Sequence, residues 1–416
     1  MTNDAKTRLA RRLTLSDAIM LGLGSMIGAG IFAVSSVAAE SAGSAILFSI
    51  LLAGLVAYLN ATSVAQLAAL YPESGGAYVY GKKQLNSFFG FLAGWAFVIG
   101  KTASCTAMAL TFAYYIYPQW AHIIAFSVTL LITFINYLGI KKTAWATRVL
   151  VVLVLLTLLI VLISIFAGDQ FQAERLFAWK QDYKIKGILE AAGLMFFAFA
   201  GYARIATLGE EVIEPQKTIP KAIMIALAIT VVLYFLVMVT IIASLPLIDL
   251  VTSSAPLALA VEQSRFSELT PLIRIGAAIA SFSVLLSLIA GISRTIFAMA
   301  SNGDLPRFLS AVHPRHKIPY KAEIMIGTTI SLLVLFTDLR SAIGFSSFAI
   351  LIYYSIANLA AIRLNKEHLL FPRTFAHIGL LICIILAINL PLNSIIGGVI
   401  LFALGTIVYF FKNKFL

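Results

Sequence analysis

The sequence predicts an all-α membrane protein with twelve transmembrane helices, from its composition, its apolar segments and the placement of its charges. Of the 416 residues, 61% are hydrophobic and 12% are charged, whereas soluble domains contain about 25% charged residues. The mean hydropathy is +0.97, and a soluble core could not bury so much apolar surface. A soluble protein, including a nucleic-acid-binding one, is therefore excluded despite the net charge of +12.

Twelve apolar segments, separated by charged or Pro/Gly-rich breaks, make up most of the chain. In the clearest, residues 149–167, Thr157 and Ser164 are the only polar members, and about 20 such residues span a bilayer. Because comparable runs continue to Phe411, the first is interpreted as a span and not as a signal peptide. The segments lie near residues 16–39, 43–69, 86–116, 120–138, 149–167, 187–209, 221–244, 269–299, 322–337, 341–362, 374–390 and 394–411.

The placement of Lys and Arg predicts a multi-pass protein of the cell membrane with both termini in the cytoplasm. In this orientation most of the 30 basic residues fall in cytoplasmic segments, as the positive-inside rule requires. The basic residues left on the outer side are Arg175, Lys180, Lys184, Lys186, Arg265 and Arg340.

Two of the segments contain glycines at mid-span, within residues 21–32 and 195–211. In lipid, an interrupted backbone is tolerated only where it is buried in protein or lines a cavity. Interruptions at matching positions of two halves are typical of transporter binding sites. The pattern therefore predicts a transporter with a basic cytoplasmic N-terminus (1–15), two inverted five-helix repeats (16–168 and 186–363) and helices 11 and 12 (373–412).

The interrupted backbone also predicts the chemistry of the ligand. The half-helix after Gly30 offers N–H groups and a positive dipole end to a carboxylate. Carbonyl groups released near Met26 and Ala200 can accept hydrogen bonds from an ammonium group, so an amino acid matches both sides. Alternatively, the glycines could only allow close packing of helices. The presence of glycine does not by itself distinguish a binding site from helix packing.

Four ordered motifs resemble those of the amino acid, polyamine and organocation (APC) superfamily of permeases, along nearly the whole chain. The resemblance implies the leucine-transporter fold with 5+5 inverted repeats, broken helices 1 and 6, and alternating access around a central site. The motifs are SMIGAGIF (25–32), YPESGGAYVY (71–80), EEVIEPQKTIPKAI (210–223) and SRTIFAMASNGDLPRFLSAVHPRHKIPY (293–320).

The resemblance also implies roles at the two breaks. By it, the carboxylate of an amino acid meets N–H groups of the first break, and the amine meets carbonyl groups of both breaks. Aromatic side chains of the second break would form walls or gates. The predicted substrate-binding residues are Met26, Ile27, Gly28, Ala29, Gly30, Phe197, Phe199, Ala200, Gly201 and Tyr202.

Two departures from the family pattern bear on mechanism. Proton-coupled members for cationic amino acids have a lysine in the fifth helix, whereas residues 149–167 contain no charge. Many relatives have an acid just after the sixth-helix break, where this chain reads Tyr202, Ala203 and Arg204. No carboxylate is thus evident for a cationic side chain, and the coupling ion, proton or sodium, stays open.

Lys101 and Arg204 lie inside predicted spans, where a central cation costs about 2.5 to 3.5 kcal/mol and usually faces a cavity or a partner. Either could hold a ligand carboxylate or replace a coupling cation. Alternatively, Arg204 could pair with Glu211, and Lys101 could extend to the membrane surface. The two cations favour neutral or acidic ligands over arginine, lysine or polyamines.

Several polar residues are weaker candidates. Ser281, Ser283 and Ser287 could complete a sodium site with carbonyls of the first helix, although Ser is common in membrane helices. Arg294 is interpreted as a gate or interface residue. Cys105 and Cys383 lie in predicted spans and are interpreted as buried fillers.

The predicted function is a secondary active transporter that moves neutral or acidic amino acids. The alternatives are an exchanger for cationic amino acids or polyamines and, less favoured, a channel, since interior polar residues are sparse. An enzyme would need a catalytic cluster, and none is apparent. The predicted partners are a small amino acid, a coupled proton or sodium ion and the lipid bilayer, with no nucleic acid, cofactor or metal.

Overall fold

The computed structural model describes residues 12–73, 75–139, 144–181 and 184–415. Within these residues the chain is almost entirely helical, and the only β contact is an isolated parallel bridge between Leu13 and Val212. The helices of the first half are α1 (Leu15–Met26), α2 (Ala29–Ala42), α3 (Ile46–Leu70), α4 (Ala77–Gln84), α5 (Ser87–Ile116), α6 (Ala121–Tyr137), α7 (Ala144–Phe166), α8 (Ile185–Phe199) and α9 (Ala203–Ala206). Those of the second half are α10 (Pro215–Ser244), α11 (Leu247–Thr252), α12 (Pro256–Glu262), α13 (Thr270–Ser301), α14 (Tyr320–Phe336), α15 (Leu339–Ile362), α16 (Arg373–Asn389) and α17 (Leu392–Phe415).

Every predicted apolar segment coincides with helix. Ten segments correspond to one helix each, whereas the first corresponds to α1 with α2 and the sixth to α8 with α9. Within the described residues, eight helical segments are long and apolar enough to cross a membrane. The number is below twelve because α2 and α3 form one continuous stretch, which merges the first two predicted segments, and because α8, α14 and α16 have only 15 to 17 residues. The structure thus supports a multi-pass membrane protein, and the twelve-span count stays a prediction.

The outer helices expose large apolar side chains. Ile388 of α16, Leu392 of α17 and Phe134 of α6 are each more than half exposed, as are many of their neighbours. A continuous apolar surface of this extent would be covered in a soluble protein. These helices therefore form the surface that faces lipid.

The centre of the molecule contains the two interrupted segments. Helix α5 packs against α13 and α15, α3 packs against α8 and α10, and α2 packs against α8. Because α2 leads away from the first break and α8 leads towards the second, the packing of α2 on α8 brings the two breaks together.

Candidate functional site

The first break separates α1 from α2 at Ile27 and Gly28. Gly28 precedes α2 in an extended conformation, and its N–H donates to the carbonyl of Met26 (2.8 Å). The N–H groups in the first turn of an α-helix have no acceptor within the helix, and Gly30 and Ile31 find none elsewhere in the described residues. This end of α2 therefore presents free donors and the positive end of the helix dipole.

The second break separates α8 from α9 at residues 200–202. The N–H of Ala200 donates to the carbonyl of Phe197 (3.4 Å), and the N–H of Arg204 donates to the carbonyl of Gly201 (3.0 Å). Helix α9 ends at Ala206 after a single turn. No helix therefore connects Arg204 to Glu211, and the ion pair suggested for them does not form in the described part of the chain.

The two breaks contact each other through glycines. A Cβ atom on Gly201 would lie 2.2 Å from the carbonyl oxygen of Ser25, and one on Gly30 would lie 2.8 Å from Cα of Ala198. Both distances are shorter than any side chain tolerates. The glycines thus permit the two interrupted helices to pack closely against each other at their breaks.

Aromatic side chains fill the space behind the breaks. Tyr202 stacks on Tyr354 with ring centroids 5.2 Å apart, and Phe199 packs against Tyr234 at 5.1 Å. The Tyr234 hydroxyl donates to the carbonyls of Met26 and Ala198. Sequence analysis missed Tyr234 and Tyr354. Each is a tyrosine within a predicted apolar segment, and that position could have indicated a role at the site. A buried tyrosine hydroxyl needs a hydrogen-bond partner.

A cavity of about 140 Å³ lies beside the breaks. Of the predicted site residues, Ala200, Gly201, Lys101 and Arg204 line it, together with Ser25 at the end of α1. The remaining predicted residues do not line the cavity. Met26, Ile27, Gly28, Phe197, Phe199 and Tyr202 are buried, Gly30 packs on α8, and the side chain of Ala29 lies outside the described part of the chain.

Val284 of α13 separates the first break from this cavity. A Cβ atom on Gly28 would lie 2.2 Å from a methyl carbon of Val284, and Val284 itself lines the cavity. Gly28 and Gly30 are buried, so the start of α2 does not line the cavity in this conformation.

The cavity is lined by three cations and one carboxylate, and the three cations differ in solvent exposure. Arg294 is exposed, Arg204 is half-buried and Lys101 is only 8% exposed. Glu211 is the carboxylate in this lining. Within the described residues, none of the three cations forms an ion pair.

Lys101 and Arg204 bond to neutral groups instead. The Lys101 ammonium donates to the carbonyl of Ala200 (3.3 Å), which also accepts from the Tyr354 hydroxyl (3.3 Å). Arg204 donates to the hydroxyl of Thr207 (3.3 Å). Lys101 therefore points into the protein and does not extend to the membrane surface.

A polar cluster borders the cavity at the end where α4 lies. Lys82 forms an ion pair with the buried Asp304 (2.5 Å), the Tyr78 hydroxyl donates to Asp304 (2.8 Å), and Asn302 donates to Tyr78 (3.1 Å). Burial, followed by the neighbouring Asp304 carboxylate, raises the pKa of Tyr78 above its usual range, so the phenol stays protonated. The cluster holds α4 against the end of α13.

Ion pairs close the opposite end of the molecule. Arg340, in the first turn of α15, pairs with Glu40 near the end of α2 and with Glu190 of α8 (3.0 Å). The Ser41 hydroxyl also donates to Glu190 (3.0 Å). The cavity is thus flanked by Arg294 and α4 at one end, while ion pairs join the outer ends of both interrupted segments at the other.

Sequence analysis also missed Glu323 of α14. Glu323 is only 2% exposed, and its Oε1 atom has no hydrogen-bond partner among the described residues. Ser293 and Asn136 reach its carboxyl group. The available signal was a carboxylate inside the predicted segment 322–337, where an acid is costly.

The serines of α13 bond mainly within their own helix. Ser281 donates to the carbonyl of Ala277 (2.8 Å), and Ser287 donates to the carbonyl of Ser283 (3.0 Å). Ser287 also lines the cavity. The sodium site predicted from these hydroxyls therefore stays a prediction.

A second cavity, of about 470 Å³, lies between α5, α14, α15 and α17. It is larger than the cavity at the breaks, but its lining consists of apolar, hydroxyl and amide groups and has no charged residue. It also lies apart from both breaks. The smaller cavity is therefore the candidate site, because it combines broken helices with unpaired charge.

Comparison with known proteins identifies the family of this chain. A family model described as amino acid permease matches residues 13–415. An uncharacterised transporter of Mycobacterium tuberculosis is 49% identical over 406 residues, which are 98% of this chain and 92% of the relative. The branched-chain amino acid permease BcaP of Bacillus subtilis is 27% identical over 98% of this chain and 94% of its own length. The vacuolar cationic amino acid transporter 4 of Arabidopsis thaliana is 29% identical over 81% of this chain and 60% of its own.

Proposed function

Because this chain belongs to the amino acid permease family, we propose that it is a secondary active transporter of amino acids, with neutral or acidic ones preferred. It works by alternating access from a multi-pass position in the cell membrane, with both termini in the cytoplasm. The observation that carries the proposal is the contact between the two helix breaks beside a cavity that contains unpaired cations.

The proposed ligand contacts follow from the groups that the breaks release. The carboxylate of the amino acid binds the N–H groups at the start of α2, from Gly28 to Gly30, where the helix dipole stabilises negative charge. The N–H of Gly28 must first release the carbonyl of Met26. The ammonium binds carbonyl groups of the second break, near Ala200. Phe197, Phe199 and Tyr202, which are buried behind the breaks in this conformation, form walls or gates of the site when a ligand is bound.

The unequal ends of the molecule support alternating access. Ion pairs of Arg340 hold the outer ends of α2, α8 and α15 together, whereas the exposed Arg294 borders the cavity at the other end. Such an arrangement suits a carrier that opens to one side at a time, with binding near mid-depth between broken helices. A channel would need a continuous polar path instead.

An exchanger for cationic amino acids or polyamines is the second candidate, since one relative is named a cationic amino acid transporter. The cavity argues against it. Lys101, Arg204 and Arg294 outnumber Glu211 in the lining, and like charges at close range repel.

Uptake into proteoliposomes tests the proposal. Labelled alanine, leucine, serine, glutamate, arginine and putrescine are supplied separately, with imposed proton or sodium gradients and with or without internal substrate. We expect saturable uptake of a neutral or acidic amino acid, and the gradient that drives it identifies the coupling ion. Preference for arginine or putrescine would favour the exchanger, and single-channel currents would rule out a carrier.

A further inference from the structure

The carbonyl group of Ala200 is already saturated before any ligand binds. A carbonyl oxygen has two lone pairs, and here it accepts from the Lys101 ammonium (3.3 Å) and from the Tyr354 hydroxyl (3.3 Å). Lys101 thus places an ammonium group where the proposed function places the ammonium of the ligand. The two cations cannot occupy that position together, because they repel and compete for the same oxygen.

A displaced Lys101 would need an anion. It is nearly fully buried, and within the described residues no carboxylate forms an ion pair with it. A buried cation is stable only when paired or hydrogen-bonded. The α-carboxylate of the ligand is not available, because the start of α2 binds it. The ligand must therefore bring a second negative group.

The rest of the cavity suits such a ligand. Its lining contains three positive charges: Arg294 is exposed, Arg204 is half-buried and Lys101 is nearly fully buried. A cleft lined by one sign of charge attracts ions of the opposite sign and raises their association rate. Glu211 compensates for only one of the three cations.

We propose that this site selects dicarboxylic amino acids, with Lys101 as the residue that determines specificity. On binding, the Lys101 ammonium leaves the carbonyl of Ala200 and pairs with the side-chain carboxylate of the ligand, and the ligand ammonium takes its place on that carbonyl. This inference rests on the proposed function, and it narrows the substrate class from neutral or acidic amino acids to acidic ones.

The test compares ligands that have the same shape and different charge. Proteoliposomes containing the full chain are assayed with labelled glutamate against glutamine and with aspartate against asparagine. Succinate has two carboxylates and no ammonium. We expect uptake of glutamate to exceed that of glutamine by about tenfold or more, which corresponds to a difference of about 1.4 kcal/mol, and we expect succinate to be a poor substrate.

The variant K101Q removes the proposed determinant. We expect the ratio of glutamate to glutamine uptake to fall by about tenfold, with glutamine uptake maintained or increased, and K101R to retain part of the preference. The control is K321Q, which removes an exposed lysine at the start of α14, outside the cavity lining. It should leave the ratio unchanged.

The outcomes are distinguishable. A glutamate preference that K101Q abolishes supports the inference. Three results overturn the inference: glutamine is transported as well as glutamate, the uptake ratio is unchanged in K101Q, or succinate is preferred to glutamate. In each case, saturable uptake of another amino acid leaves the proposed function standing. No saturable uptake of any amino acid overturns both. If K101Q does not fold, the melting temperature of the unaltered protein is measured with glutamate and with glutamine. The inference requires glutamate to raise the melting temperature more than glutamine does, and equal shifts overturn it.

Discussion

At the scale of single residues, glycine, lysine and tyrosine side chains shape the candidate site. Gly201 and Gly30 allow two interrupted backbones to touch, and Lys101 and Tyr354 saturate the carbonyl that the second break exposes. Each contact satisfies or shields backbone that would be costly in a membrane interior. The site is therefore built from backbone groups, and the side chains control access to them.

Gly201→Ala should destabilise the protein and abolish uptake. The added methyl group would lie 2.2 Å from the carbonyl oxygen of Ser25, and overpacking of this kind costs about 1 to 3 kcal/mol. Thermal unfolding in detergent and amino acid uptake measure both effects. Gly397→Ala is the control, since its nearest neighbour is a Phe345 carbon at 3.5 Å. Equal behaviour of the two variants would contradict the close contact between the breaks.

At the scale of helices, the interrupted segments are held at their outer ends by charge. Arg340 joins α15 to α2 through Glu40 and to α8 through Glu190. These are the half-helices that lead to and from the breaks. A partly exposed ion pair contributes about 1 kcal/mol or less, so the network can open without a large cost.

We expect Arg340→Gln to increase local opening at this end of the molecule and to lower the global stability only slightly. We expect faster hydrogen exchange in the last turn of α2 and the first turn of α8, a small decrease in melting temperature and a changed uptake rate. The matched control is Lys217→Gln, which removes an exposed pair with Glu214. Similar exchange in both variants would show that the Arg340 network does not hold these helices.

At the scale of the whole molecule, α13 connects two loops that the sequence places on opposite sides of the membrane. Arg265 precedes this helix and Arg315 follows it, and both side chains are exposed. The native cysteines, Cys105 and Cys383, are free and buried, so an introduced cysteine can be labelled with little background.

Arg265→Cys should react with an impermeant maleimide on intact cells, and Arg315→Cys should react only after the membrane is permeabilised. The reason is that α13, with 32 residues, is long and apolar enough to cross the bilayer once, and the positive-inside rule predicts its direction. Labelling is measured by a mass shift on a gel. The reverse pattern would invert the proposed orientation.

The sequence by itself determined the features that local composition encodes. Apolar segments of about 20 residues predicted helices, and mid-span glycines predicted interruptions at Gly28 to Gly30 and at Ala200 and Gly201. The structure has breaks at residues 27–28 and 200–202, so the first break begins earlier than predicted and Ala29 and Gly30 already belong to α2. The motifs from Ser25 to Tyr320 identified the family, which the match over residues 13–415 confirms. These signals lie within single helices or loops, so the linear pattern contains them.

Only the tertiary structure decided which groups meet at the site. The bond between Lys101 and Ala200 joins residues 99 positions apart, and that between Tyr234 and Met26 joins residues 208 positions apart. Such contacts depend on how helices rotate and pack, which helical periodicity does not record. The same reason explains why Arg204 bonds to Thr207 in place of Glu211. The helix ends at Ala206, and the residues after this end do not follow the helical periodicity.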